Sequence, residues 1–189
     1  MQTLYFVRHG EADYNLLNRV NAHPHVPNNL TVTGREQAAC CRLSLRDTPI
    51  AVMYCSEFPR TQQTANILNE HCRVPLIVDA RINETGAFAF EGKPVQQWHS
   101  ANVPDRCNAR IPGCEPLAEM KPRLAQFLSA LRSAPQQHIV VVSHAEPIQI
   151  MLGILQAQAD SDALQRPISH CLPIRIEIDS RDEKTHLEL

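Results

Sequence analysis

The sequence predicts a three-layer α/β/α sandwich, in which a mostly parallel sheet carries helices on both faces. Apolar stretches of strand length alternate with stretches of helical periodicity along most of the 189 residues, and this alternation is typical of a parallel sheet with helical crossovers. The first, second and fourth apolar stretches are continuous, as strands covered on both faces are. One interval, about residues 86–118, breaks both periodicities. We interpret it as a small cap inserted into a single domain, 1–189.

The first strand and the loop after it open the chain. Residues 4–7 form an apolar run that ends abruptly in a cation, an imidazole and a glycine. Residues 11–29 are polar, and two prolines prevent one continuous helix, so we predict a loop with at most a short helical turn. Two histidines in this loop, His23 and His25, are either a metal-binding pair or solvent-exposed loop residues, and we favour the second interpretation.

Two strand–helix units follow. Residues 30–34 open the first clear helix, which we expect Thr33 to cap. Residues 50–55 form the second strand, and a polar turn that contains Arg60 comes after it. A helix over about residues 61–69 completes the second unit.

The second half of the chain contains the strongest strand. Residues 74–78 are the predicted third strand, and after the cap interval residues 117–132 show apolar positions at helical spacing. Residues 139–143 are continuously apolar and β-branched until the final serine, which predicts a central strand followed by a helix. Residues 173–178 alternate as a half-exposed strand, and residues 181–189 are a charged tail.

Composition and charge argue against several classes of protein. The net charge is −2 and no polybasic run occurs, so we expect neither nucleic acid nor a membrane surface as a partner. No apolar stretch approaches membrane-spanning length. The seven cysteines are odd in number and include no CxxC pair, which argues against a disulfide framework or a zinc site. The N-terminus begins a strand at once, so we expect no signal peptide and a cytoplasmic protein. The cysteine pattern favours reduced thiols. We expect a monomer or a homodimer.

Charged and ring side chains stand at the predicted ends of the strands. Arg8 and His9 end the first strand, Arg60 follows the second, and His144 follows the fourth. The carboxyl ends of parallel strands meet at one rim, where ligands bind. Arginines hold phosphoryl oxygens, neutral imidazole can attack phosphorus, and a carboxylic acid can protonate the leaving oxygen. Glu84, just after the third strand, is the candidate acid.

Each of these residues also has a structural explanation. Taken alone, a strand-end histidine is more often a satisfied core residue, and only the conjunction favours a site. Three other glutamates lie in neighbouring loops and are alternatives to Glu84: Glu57, Glu91 and Glu115. We expect Trp98 to pack within the cap, and we assign no role to His170 or Cys171. Motifs for a metal or a nucleotide are absent, so we expect no metal and no cofactor.

Five short segments in this order resemble one family. They are Arg8-His9-Gly10-Glu11, Leu30-Thr31 with Gly34 and Gln37-Ala38, Ser56 with Arg60 and Gln63-Thr64-Ala65, Arg81-Ile82-Asn83-Glu84, and Val142-Ser143-His144. Together they resemble the histidine phosphatase superfamily, in its phosphoglycerate-mutase-like branch, over residues 4 to about 155. The resemblance implies the phosphoglycerate-mutase-like variant of the predicted sandwich.

The resemblance also implies a role for each matching residue. His9 is the implied nucleophile that becomes phosphorylated, and Glu84 is the implied proton donor and then the base that activates water. Asn15 matches an asparagine that reaches the phosphate, whereas Asn21 stands where the family often has glutamine. The implied catalytic set is Arg8, His9, Arg60, Glu84 and His144, and the expected substrate-binding set is Arg8, Asn15, Asn21, Arg60 and His144.

The leading hypothesis is a metal-independent phosphatase that hydrolyses a phosphate monoester of a small metabolite through a phosphohistidine intermediate. A phosphoglycerate-mutase-type phosphoryl transfer is the alternative, and it needs a cap that shields the phosphoenzyme from water. A non-catalytic protein that binds phospho-ligands is a third hypothesis. A phosphatase of phosphohistidine in proteins, which needs an open site, is a fourth.

Overall fold

Six strands and seven helices make up the part of the chain that this computed structural model describes, residues 1–103, 105–178 and 185–188. The strands are β1 (Gln2–Arg8), β2 (Val52–Cys55), β3 (Leu76–Val78), β4 (His138–Ser143), β5 (Ile174–Ile178) and β6 (Thr185–Glu188). The helices are α1 (Asp13–Leu16), α2 (Val32–Ser44), α3 (Pro59–Cys72), α4 (Val95–Ala101), α5 (Leu117–Arg132), α6 (Ala145–Leu155) and α7 (Asp160–Ala163). Two 3-10 turns, Ala80–Ile82 and Phe88–Phe90, lie between β3 and α4.

The strands form one sheet in the lateral order β3-β2-β4-β1-β5-β6. The first four strands of that order are parallel, whereas β5 is antiparallel to β1 and β6 is antiparallel to β5. Arg8 in β1 lies beside Ser143 in β4, and Cys55 in β2 lies beside Val142. The carboxyl ends of these three central strands therefore meet at one rim. The predicted mostly parallel sheet is confirmed.

Apolar cores lie on both faces of the sheet. Leu4 and Phe6 of β1 pack in one core with α5 and α6, and Tyr5 and Val7 pack in the other with α2 and α3. Successive side chains of a strand point to opposite faces, so one strand serves both cores. This arrangement explains why the central strands are apolar along their length, and it confirms the three-layer sandwich.

Two helix starts differ from the prediction at the rim. The N-cap of α2 is Thr31, whose Oγ1 accepts from the Gly34 amide at 2.9 Å, and Thr33 lies inside the helix. Thr31 is held there because its hydroxyl donates to the Glu11 carboxylate at 2.7 Å. Helix α3 begins at Pro59, a residue suited to a first helical position, so Arg60 lies in the helix and not in the turn before it.

The irregular segments beside the rim contain short elements. Helix α1 supplies the helical turn expected in the first loop. Residues 86–118 include the second 3-10 turn and α4, and they contact the first loop through its backbone. Val20 donates to the Lys93 carbonyl at 2.9 Å, and Gly92 donates to the Val20 carbonyl at 2.8 Å. These bonds hold the two segments side by side.

The C-terminal segment differs from the charged tail that the sequence predicts. Residues 185–188 form β6 and pair with β5, whereas residues 179–184 and 189 lie outside the described residues. Within the described ranges, no helix is both long enough and apolar enough to cross a membrane.

Candidate active site

His9 lies at the carboxyl end of β1 and is only 2% exposed. Its Nδ1 lies 2.7 Å from the Gly10 carbonyl oxygen, which only accepts, so Nδ1 carries the ring proton and Nε2 keeps its lone pair. The Nε–H of Arg60 donates to that Nε2 at 3.0 Å, in agreement with this tautomer. Burial, and then the positive charges of Arg60 and Arg8, hold the pKa of His9 well below its usual value. At neutral pH His9 is therefore an uncharged imidazole with a nucleophilic Nε2.

Arg60 connects the residues of the rim. Besides the bond to His9, its Nη2 donates to Nδ1 of His144 at 3.0 Å. Its Nη1 donates to the side-chain oxygen of Asn21. Burial lowers the pKa of Arg60 to about 10, so the guanidinium stays charged at neutral pH. These bonds fix a planar cation, suited to phosphoryl oxygens, against the candidate nucleophile.

His144 follows β4 and is the N-cap residue of α6, and it is fully buried. Because its Nδ1 accepts from Arg60, its Nε2 carries the proton and donates to Ser56 Oγ at 2.8 Å. Ser56 shares a further hydrogen bond with Thr61 Oγ1 at 2.7 Å. Burial and the charge of Arg60 hold the pKa of His144 well below its usual value. Ser56, which the sequence reveals only as part of a motif, thus fixes the ring of His144.

Arg8 brings a second cation to the same place. Its Nη1 donates to the Ile168 carbonyl at 2.8 Å, and burial lowers its pKa without removing its charge. His170, to which the sequence assigns no role, lies beside it. The Nδ1 of His170 lies 2.6 Å from the His9 carbonyl oxygen, and the two rings are 5.3 Å apart. His170 therefore braces the backbone that carries the candidate nucleophile.

Glu84 follows the first 3-10 turn, and its carboxyl group faces Arg60 and His144. Its Oε2 lies 3.8 Å from Nη2 of Arg60 and 3.6 Å from Nδ1 of His144. Its Oε1 accepts from the Thr85 amide at 3.0 Å. Burial, opposed by Arg60 and reinforced by Glu146, raises the pKa of Glu84 above its usual value. A carboxyl group whose pKa is raised is suited to hold a proton and donate it.

The other glutamates considered as acids are bonded elsewhere. Glu57 accepts from Asn83, Glu91 from backbone amides of the first loop, and Glu115 from Arg123. Among the described residues, the carboxylates that line the cavity of the rim are Glu84 and Glu146. The sequence offers one signal for Glu146, its place two residues after His144 at the start of a helix.

The two predicted asparagines both line the cavity but differ in their bonding. The side-chain oxygen of Asn15 accepts from the Ala12 amide at 2.9 Å, which leaves its nitrogen as a donor. The oxygen of Asn21 accepts from Arg60 and from Asn28, and its nitrogen donates to Glu91 at 3.4 Å. The observed contacts make Asn21 an anchor for Arg60, and its contact with substrate stays a prediction.

The rim residues enclose a cavity of about 350 Å³. Besides the rim residues its lining includes one further cation, Arg19, and the residues Tyr14, Asn18, Val20, Ala87, Val95, Trp98 and His99. A second cavity of about 580 Å³ adjoins it and shares the lining residues Trp98, His99, Ala145 and Glu146. Trp98 packs against Phe90 at 5.5 Å between ring centres, as expected, and it also lines both cavities. The two adjoining cavities therefore leave space for a group larger than phosphate beside the rim.

The loop histidines do not line the cavity of the rim. The rings of His23 and His25 are 5.0 Å apart, and His23 stacks on Phe88 at 4.8 Å. Across the described ranges, no cluster of three or more His, Cys, Asp or Glu side chains could hold a metal ion. That the reaction uses no metal stays a prediction.

Comparison with known families gives one match along most of the chain. The model of the histidine phosphatase superfamily (branch 1) matches residues 4–187. The probable phosphoglycerate mutase GpmB of Erwinia tasmaniensis is 29% identical over 163 residues, which cover 82% of this chain and 75% of that protein. The relative of the same name from Yersinia pestis shows the same identity and coverage.

Solved structures share the fold along the full chain. The alpha-ribazole phosphatase from Shigella flexneri superposes with a TM-score of 0.89 at 23% identity, covering 100% of this chain and 95% of that one. A mycobacterial glucosyl-3-phosphoglycerate phosphatase complexed with VO3 gives a TM-score of 0.81 at 20% identity, with 100% and 98% coverage. At these identities the likeness concerns the fold.

Proposed function

The chain belongs to branch 1 of the histidine phosphatase superfamily, and from this premise we propose that it is a phosphatase. It hydrolyses a phosphate monoester of a small metabolite, without a metal, through a phosphohistidine on His9. The observation that carries this proposal is the hydrogen bond from His9 Nδ1 to the Gly10 carbonyl, which leaves Nε2 unprotonated beside the buried Arg60 and near the charge of the partly buried Arg8. This arrangement supplies a nucleophile, Nε2 of His9, and the positive charge that holds the phosphoryl oxygens.

The first step transfers the phosphoryl group to His9. Substrate oxygens replace Nε2 of His9 as the acceptors of Arg60, and Arg8 and Asn15 supply further donors, whereas a contact from His144 stays a prediction. The lone pair of Nε2 attacks phosphorus, and the bond from phosphorus to the ester oxygen breaks. Glu84 donates its proton to that oxygen, so a neutral alcohol leaves and Glu84 becomes a carboxylate.

The second step returns the enzyme to its starting state. The Glu84 carboxylate takes a proton from water, whose oxygen attacks phosphorus. The bond from phosphorus to Nε2 breaks, and inorganic phosphate leaves. His9 is again neutral and Glu84 again protonated, so no other reactant is consumed. The cations stabilise the equatorial oxygens in both steps.

A phosphoglycerate mutase is the second candidate, because the relatives at 29% identity carry that name. Mutase chemistry needs further cations to retain a substrate with a second acidic group. Two cations that line the adjoining cavities already have partners, since Arg106 pairs with Glu146 and Arg19 donates to the Gly92 carbonyl oxygen at 2.8 Å. This bonding supports hydrolysis over transfer. Oligomeric state and the cytoplasmic location stay predictions.

The test is a panel of phosphate esters assayed for released phosphate with a metal chelator present. We expect the wild-type protein to release phosphate and His9→Ala to lose about 10³-fold or more of kcat/KM. His25→Ala, which removes an exposed histidine, serves as the matched control. A His9→Ala protein as active as the wild type would exclude the mechanism.

The same panel separates the other functions. Conversion of 3- to 2-phosphoglycerate without phosphate release would identify a mutase. Binding of phosphate or vanadate without turnover of any ester would identify a binding protein. Acid-labile, alkali-stable phosphate on His9 in a quenched reaction is the expected sign of the intermediate.

A further inference from the structure

A carboxylate that the proposed reaction does not use lies beside the proton donor. Glu146, in the first turn of α6, lines the same cavity as Glu84. The hydroxyl of Thr85 donates to Oε2 of Glu146, and the amide of Thr85 donates to Oε1 of Glu84 at 3.0 Å. Thr85 therefore connects the two carboxyl groups through hydrogen bonds, so we expect a change in the charge of one carboxyl group to affect the other.

Arg106 holds Glu146 from the segment interpreted as a cap. Its Nε lies 2.6 Å from Oε1 of Glu146, and the two side chains are 16% and 17% exposed. Its guanidinium also lies 5.3 Å from the ring centre of Trp98. At this burial the pair is less screened by salt than a surface ion pair. The effect of the Glu146 charge on neighbouring groups thus depends on Arg106, which lies in the segment interpreted as a cap.

The other groups that face Glu84 oppose its protonated form or are uncharged. Arg60 approaches from α3 and Arg8 from β1, and both favour the ionised carboxyl group. Arg123 from α5 donates to the Glu84 carbonyl oxygen at 3.2 Å. His144, at the end of β4, is neutral. Among the described residues that act on Glu84, Glu146 carries the negative charge that counters these cations.

We propose that Glu146 is a positioning residue that keeps the proton on Glu84, and that Arg106 tunes this effect. The inference rests on the proposed function, in which Glu84 is the acid. The arginines that bind phosphate favour loss of the proton that the leaving alcohol needs, and burial together with the carboxylate of Glu146 compensates. The raised pKa of Glu84 has burial as its first cause and Glu146 as the supporting charge.

The test compares pH profiles of kcat/KM for an alkyl phosphate, whose leaving group requires protonation. Glu146→Gln removes the repelling charge, so Glu84 ionises at lower pH and the alkaline limb moves to lower pH. Arg106→Met leaves Glu146 unneutralised, so the limb moves to higher pH. The double variant, which removes both charges, lies between the two. Glu119→Gln, at an exposed position of α5, is the matched control and leaves the limb unchanged.

The proposal is supported if the alkaline limb moves to lower pH in Glu146→Gln and to higher pH in Arg106→Met. It is overturned if either limb stays in place or if both limbs move in the same direction. Thermal unfolding checks that each variant is folded. Thr85→Val, which removes the hydroxyl but neither charge, gives a second measurement, and we expect a smaller displacement toward the Glu146→Gln profile. An active wild type with an inactive His9→Ala establishes the proposed function whatever these limbs do, so the two failures are distinguishable.

Discussion

Protonation states at the rim follow from the partner that each ring nitrogen meets. A carbonyl oxygen accepts from Nδ1 of His9, and a guanidinium donates to Nδ1 of His144, so the two rings hold opposite tautomers. Both rings are nonetheless neutral, because burial beside two arginines disfavours a further positive charge. Neutral imidazole is the form that can attack phosphorus, so the arginines that we propose as phosphate ligands also keep the candidate nucleophile uncharged.

Replacing Glu84 by glutamine tests its role as the acid. Glu84→Gln keeps the size of the side chain but removes the proton that it donates. We expect kcat/KM for glycerol 2-phosphate to fall about 10²- to 10⁴-fold. Hydrolysis of p-nitrophenyl phosphate falls less, because its leaving group needs little protonation. Steady-state assays of both esters measure the difference.

Glu57→Gln is the control for that experiment, since Glu57 is exposed and bonded to Asn83. Equal losses on the alkyl and aryl esters in Glu84→Gln would contradict the assignment of the acid.

At the scale of elements, the start of α2 and the turn after β1 touch backbone to backbone. A Cβ on Gly10 would lie 2.4 Å from the Gly34 carbonyl oxygen, and a Cβ on Gly34 would lie 2.0 Å from that of Glu11. Neither neighbour is a flexible side chain, so only glycine fits at either place. The helix therefore holds the turn whose carbonyl fixes the proton of His9.

Gly34→Ala should push α2 away from that turn. We expect a loss of about 1–3 kcal/mol in the free energy of unfolding, as for an overpacked core, together with lower kcat/KM. Gly92→Ala is the control, because Gly92 has φ +70° but no neighbour within 4 Å of the added Cβ. Its expected cost is about 1–2 kcal/mol from backbone conformation, with activity retained.

Urea unfolding and assays of the same two proteins decide this prediction. Full activity in Gly34→Ala would show that the contact between α2 and the turn does not control the site.

Helix α4 places Trp98 in the lining of both adjoining cavities, so we expect it to influence which leaving groups fit. We expect Trp98→Ala to lower kcat/KM roughly tenfold for bulky aryl esters, through lost contact with the ring, and much less for glycerol 2-phosphate. Phe88→Ala, a half-exposed aromatic of the same segment, is the control. A uniform loss across all esters would instead indicate a structural role for Trp98.

At the scale of the whole molecule, the sheet brings together residues far apart in the chain. His9 and His144 directly follow the neighbouring strands β1 and β4, and Arg60 comes after β2 on the other side of β4. These positions could be predicted, because an apolar run that stops at a charged or ring residue marks both a strand end and a rim.

Other features could not be predicted, because they depend on partners across the rim. Ser56 and Glu146 acquire their roles only when His144 and Thr85 lie beside them. The N-cap of α2 is Thr31 and not the predicted Thr33, because the Thr31 hydroxyl donates a hydrogen bond to the Glu11 carboxylate. Strand β6 has no apolar run, and its extended form follows from pairing with β5.

Stability should fall in mild acid because of the two buried histidines. Their pKa values are lowered in the folded protein, so below about pH 6.5 the unfolded chain binds protons that the folded one does not. We expect the free energy of unfolding to fall by up to ~1.4 kcal/mol per pH unit for each histidine below that pH. Their contribution is complete above pH 6.5 and is lost as pH falls toward the folded values.

Urea unfolding at a series of pH values measures this slope. Glu84 contributes with the opposite sign, because its raised pKa lets the folded protein take up a proton first. His144→Gln should flatten the slope, whereas His25→Gln, at an exposed position, should not. An unchanged slope in His144→Gln would contradict the buried neutral state.

The position of β1 has a consequence for how the protein is made. β1 leaves the ribosome well before both of its neighbours, His138–Ser143 and Ile174–Ile178, which lie about 130 or more residues later. Translation adds ~5–20 residues per second, so this apolar strand waits several seconds with both edges unpaired. During that time it is a ready surface for chaperones or for aggregation. The pairing of β1 with β4 and β5 therefore completes both the central core and the surroundings of His9, and it takes place late in synthesis.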